Sequence, residues 1–78
     1  MIFEKNFFAV RLKELRKSRN LTQGAVGEAI GLKKQVINDM EHGRCKTSLD
    51  RAVALANYFG VSLDYLTGRT DNPEINVS

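Results

Sequence analysis

Thr22–Gly43, TQGAVGEAIGLKKQVINDMEHG, constrains the fold of this chain more than any other stretch. Val26 and Ile30 recur at i, i+4 in its first half, and Ile37 and Met40 at i, i+3 in its second. Both spacings belong to one face of a helix, and Leu32 adds an apolar anchor between them. Gly31 separates the halves, and glycine accepts the left-handed backbone that ends one helix and turns the chain into another. Gly27 has no side chain where the first helix faces the second, so the two backbones can approach closely. Lys34, Gln35, Asn38, Asp39 and His42 then share the outward face of the second helix as one polar stripe.

Two short helices joined this way form a helix-turn-helix, a unit whose second helix can enter the DNA major groove. The charge distribution agrees. Residues 11–46 carry nine basic side chains against four acidic, net +5, whereas residues 47–78 are net −2. A basic segment around the helix-turn-helix suits phosphate neutralisation. A chain of 78 residues is expected to form one domain with a small core, leaving no room for a separate effector domain. A single Cys excludes an intrachain disulfide, and no Cys/His cluster suggests zinc. His42, the sole histidine, has no Ser or Cys placed with it as a nucleophile, and there is no glycine-rich phosphate loop, so no enzyme is expected. No signal peptide or membrane span is read at the N-terminus, so the expected setting is the reduced cytoplasm.

In chain order, Asn6 is the expected N-cap of a first helix running to about Arg19, with Phe8, Leu12 and Leu15 on its core face. Phe7 and Val10 lie off that stripe. With Ile2 and Phe3 they either fold back on the domain or form a partner surface. Thr22 caps the second helix, and free N–H groups at that end make Thr22 and Gln23 phosphate candidates. The third helix is expected over about Lys33–His42. Lysine in its first turn opposes the helix dipole, a penalty a nearby phosphate reverses, so Lys33 is placed with the backbone contacts. His42, at the far end of the stripe, is grouped with them. Ser48 caps a fourth helix, Leu49–Phe59, with Leu49, Ala52, Val53 and Ala56 as its core repeat, widened by Leu55 and Phe59. Ser62 caps a short fifth helix, Leu63–Thr67, that turns Leu63 and Leu66 inward. Arg69–Ser78 reads as a flexible tail, in which Ile75 and Val77 alternate around Asn76.

RLKELRKSRNLTQ (Arg11–Gln23), the Thr22–Gly43 segment and SLDRAVALANYFGVSLDYLTG (Ser48–Gly68) together resemble the Xre/Cro family of phage and bacterial repressors. The resemblance covers most of the chain. It implies an all-α, compact five-helix, lambda-repressor-like domain over residues 1–68, with the helix-turn-helix at helices 2 and 3. It implies a sequence-specific transcriptional regulator, a repressor first of all, that binds a palindromic operator in double-stranded DNA as a homodimer.

Lys34, Gln35 and Asp39 match the family's base-reading positions. Lysine donates to guanine and glutamine pairs with adenine, while Asp39 either accepts from cytosine or holds Gln35 and Lys34 in place. Val36 is a candidate contact for a thymine methyl, and Asn38 completes the set. The family's matching glutamine touches the DNA backbone, which supports Gln23. Its loop after the third helix runs along the phosphates, which brings in Arg44 and Lys46. Arg16 and Glu41 match a structural ion pair between the first and third helices. Tyr65, with Leu66 beside it, lies toward the surface that family dimers share. No cofactor, metal, membrane or small-molecule effector is implied. A second reading, from another class, is a protein-binding module such as an antitoxin or adaptor.

Overall fold

The computed structural model describes residues 5–45 and 47–74, so the expectations for Ile2, Phe3, Lys46 and Ile75–Val77 lie outside the described residues. Among the described residues five helices follow one another: α1 (Lys5–Ser18), α2 (Gln23–Ile30), α3 (Lys34–Glu41), α4 (Leu49–Phe59) and α5 (Leu63–Leu66). α1 already includes Lys5, so Asn6 lies within the helix instead of capping it. Asn20 takes the left-handed conformation (φ 56°), which asparagine tolerates, and ends α1.

Local chemistry sets most of the remaining boundaries. Thr22 Oγ1 accepts the Ala25 N–H at 3.0 Å, and the hydroxyls of Ser48 and Ser62 accept from Arg51 and Tyr65 in the same way. At the end of α2, Gly31 sits at φ 77° and the Leu32 N–H donates back to the Gly27 carbonyl at 2.8 Å. That six-residue closure satisfies an otherwise orphaned carbonyl and aims the chain into α3.

The core contains Phe8, Leu12, Val26, Ile37, Met40, Leu55, Phe59 and Leu66, contributed by all five helices, with Ala52, Ala56 and Val61 filling smaller spaces. α4 is rotated relative to its expected face. Ala52, Leu55, Ala56 and Phe59 are buried, whereas Leu49 is 68% exposed and Val53 39%. At about 100° per residue the two apolar sets overlap on the helix wheel. The fold resolves the overlap by centring the large Leu55 and Phe59, which leaves Leu49 and Val53 beyond the edge of the core.

Phe7 is half exposed and sits against Gly68. A Cβ on that glycine (φ 82°) would lie 2.6 Å from the Cβ of Phe7. Leu66 is fully buried, which removes it as a dimer contact. The segment after α5, expected to be free from residue 69, is tied down as far as Pro73. Arg11 donates to the carbonyls of Tyr65 (2.8 Å) and Thr70 (2.9 Å) and pairs with Asp71 at 2.7 Å. The Ser62 N–H donates to the Pro73 carbonyl at 3.0 Å. One guanidinium with several donors can satisfy a helix-end carbonyl and a following turn together. It also lies 4.0 Å above the Tyr65 ring and covers that face.

Candidate nucleic-acid interface

α3 is buried on one side by Ile37 and Met40, which turns the opposite side outward. Lys33 precedes the helix as its N-cap residue, without a side-chain cap, and Lys33, Lys34 and Gln35 are exposed. Arg44 follows, with its side chain 62% exposed. Three positive groups therefore flank the outward side of α3, as phosphate contact requires.

The remaining stripe residues have partners. Gln35 donates through Nε2 to Asp39 Oδ1 at 3.1 Å, and Arg44 approaches the same oxygen at 3.7 Å. Asp39 thus accepts from Gln35 one turn earlier in α3 and faces the charge of Arg44 in the loop after it. Its helical neighbour Lys34 is not among those contacts. Val36 is half-buried against the core. His42 lies at the C-cap, where Nδ1 donates to the Asn38 carbonyl at 2.8 Å. The capping role of Thr22 is geometric fact, and its side chain is exposed beside the first N–H groups of α2.

Arg16 and Glu41 form the expected pair. Arg16 Nε and Nη2 donate to the two carboxylate oxygens at 2.6 and 2.9 Å, and Nη1 donates to the Leu21 carbonyl at 2.9 Å. The side chains are 12% and 1% exposed. Burial pushes the Glu41 carboxyl up, but hydrogen bonds from Arg16 and Gln23, together with the charges of Arg16 and Lys13, hold it below the usual carboxylate range. The hydrogen bond to Glu41 outweighs burial at Arg16, whose pKa is raised. Two contacts went unread in the sequence: Gln23 Nε2 donates to Glu41 Oε1 at 3.2 Å, and Asn38 Nδ2 donates to Gln23 Oε1 at 3.4 Å.

Among the described residues, no group of three or more His, Cys, Asp or Glu side chains is placed to hold a metal. No helix among them is long and apolar enough to cross a membrane.

The helix-turn-helix family profile matches residues 12–66, more than half the chain. The chain belongs to the Xre-type helix-turn-helix family. This helix-turn-helix protein is 39% identical over 70 residues to YobD, an uncharacterised HTH-type transcriptional regulator of Bacillus subtilis. The match covers 90% of the present chain and 62% of YobD, so the chain spans only part of that relative's length. Its fold matches the restriction–modification controller C.AhdI of Aeromonas hydrophila with a TM-score of 0.74 at 27% identity, over 80% of this chain and 94% of that one. It also matches the P22 c2 repressor, solved in complex with a synthetic operator, with a TM-score of 0.72 at 25% identity, over 76% and 89% of the two chains.

Proposed function

We propose that this protein is a sequence-specific DNA-binding transcriptional regulator, acting as a repressor, with α3 inserted in the major groove of a palindromic operator. The observation that carries the reading is the two-sidedness of α3. Ile37, Met40 and Glu41 fix one side in the domain, while Lys34 and Gln35 stand exposed on the other between Lys33 and Arg44. Lys34 and Gln35 are the base readers, aided by Val36. Asp39 positions Gln35, leaving the amide edge with its oxygen and second N–H for an adenine. Lys33, Arg44, Thr22, Gln23 and His42 form the phosphate-facing set, which Lys46 joins by its place in the sequence after α3. The P22 c2 repressor, on its operator, is the solved relative that favours repression.

Two groups of variants test the assignment by competition binding on a selected site. Lys34→Ala and Gln35→Ala are each expected to lose about 1–3 kcal/mol and to relax preference at one or two base pairs. Lys33→Ala, Arg44→Ala and Lys46→Ala are expected to weaken all sequences about equally and to flatten the salt slope by about one unit each. Intact selectivity in both members of the first group contradicts the base-reading role.

The protein acts as a homodimer in this reading, because one helix-turn-helix covers too few base pairs to find a site among the ~10⁶ or more competitors of a genome. The dimer surface proposed from Tyr65 shifts to the outer face of α4 and the turn into α5. Exposed Val53 lines a groove there with Ala56, Val61 and Leu63, and exposed Leu49 lies one helical turn before it on α4. Val53→Asp is expected to weaken self-association at least about tenfold, since a charge would enter a dry contact. Sedimentation at micromolar concentration reads this directly, and an unchanged distribution of species rules out that face.

A further inference from the structure

α2 and α3 are joined by a run of polar groups with a direction. It begins at Arg16, whose guanidinium grips both oxygens of Glu41. An ionised carboxylate has no proton to give, so Gln23 can meet it only through Nε2, as the 3.2 Å contact with Oε1 has it. The carboxamide oxygen of Gln23 must then face away from that carboxylate, toward the preceding turn of α3. Only a donor can meet it, and Asn38 presents Nδ2 at 3.4 Å. The ion pair therefore sets the orientation of two successive amides. Asn38 is half-buried and has spent an N–H inward. Gln23, the first residue of α2, has its oxygen and one N–H engaged and keeps a single N–H. Phosphate oxygens accept only, so that remaining N–H suits them, whereas a flipped amide would offer an oxygen and be repelled.

We propose that Asn38 is a positioning residue: with Glu41 it holds the Gln23 carboxamide in the orientation that gives an N–H to a DNA phosphate, and it does not read a base. This rests on the reading of α3 as the DNA-reading helix. It moves Asn38 out of the base-reading set suggested by the polar stripe.

The test is a double-mutant cycle in DNA affinity with the full chain, using wild type, Gln23→Ala, Asn38→Ala and the double variant at a temperature where all four are folded. Asn38→Ala is expected to weaken binding about two- to tenfold, the worth of one hydrogen bond, and equally for every base substitution in the site. In the Gln23→Ala background it is expected to have no further effect. A purely structural asparagine would lower the melting temperature without this coupling. Changed preference at one base pair overturns the proposal, as do effects of the two substitutions that simply multiply, or a Gln23→Ala variant of full affinity. In those cases selective binding by the wild type leaves the Lys34 and Gln35 assignment standing. A wild type that binds no DNA removes the underlying reading and the proposal with it.

Discussion

Arg16→Ala is expected to cost about 3–5 kcal/mol of stability, because it strands the Glu41 carboxylate where its side chain is 1% exposed. The Leu21 carbonyl loses its donor in the same step. A domain of this size has about 4–12 kcal/mol in total, so much of it would go, and the melting temperature should fall by more than about 10 °C. Replacing both partners by apolar residues of similar volume, Arg16→Met with Glu41→Leu, should recover much of the loss, since no buried charge is then unpaired. Thermal melts of the three proteins check this, and an unmoved Arg16→Ala melt would mean that the pair is solvated.

The same pair has a pH signature. The folded pKa of Glu41 lies below its unfolded value, so its stabilisation is present above the ordinary glutamate pKa and is lost as the pH falls through the folded value. Arg16 is shifted upward, and its contribution is fully present at every workable pH. Urea unfolding at neutral pH and near pH 3 should show a larger acid loss in the wild type than in the Met/Leu variant.

Gly27→Ala is the second large effect. A Cβ there would lie 2.5 Å from the Leu32 carbonyl oxygen and 3.3 Å from the carbonyl carbons of Leu32 and Lys33. All three are backbone atoms of the turn, so no rotamer change relieves the overlap. Alanine's better helix propensity returns up to about 1 kcal/mol, against roughly 1–3 kcal/mol for overpacking. The net loss of stability is thus modest, but the overlap is relieved by moving α3 away from α2. DNA affinity should consequently drop at least about tenfold, beyond what unfolding explains. Gly24→Ala is the control. Its Cβ would meet only Thr22 Oγ1, at 3.9 Å, and the variant should match or exceed the wild type in stability. Equal DNA binding by the two variants would contradict the close approach of α2 and α3.

These features differed in how far the chain itself announced them. Caps at Thr22, Ser48 and Ser62 and stops at Gly31 and Gly60 use hydrogen bonds within a few residues, so residue type and position were enough. The outward stripe of α3 followed from helical period in the same way. α4 was harder, because two overlapping apolar sets share one helix and only the packed partners decide which is centred. Arg16 and Glu41 stand 25 residues apart and were legible only through resemblance to a family. The Arg11 clamp spans 54 to 60 residues and ends largely on backbone carbonyls, which every residue carries, so no side-chain pattern marks it. The Gln23–Asn38 contact hid for a related reason: a half-buried asparagine on a polar stripe looks like any exposed one until the second helix is in place.

Selecting sites from a random DNA pool, and titrating the winner against a scrambled duplex across salt, tests whether α3 reads base edges while basic residues around it grip the backbone. The selection should recover a two-fold symmetric site, bound at least about 10³-fold more tightly than the scrambled duplex. The log affinity should fall steeply and linearly with log salt. Equal affinity for both duplexes, or binding indifferent to salt, would contradict that role of α3.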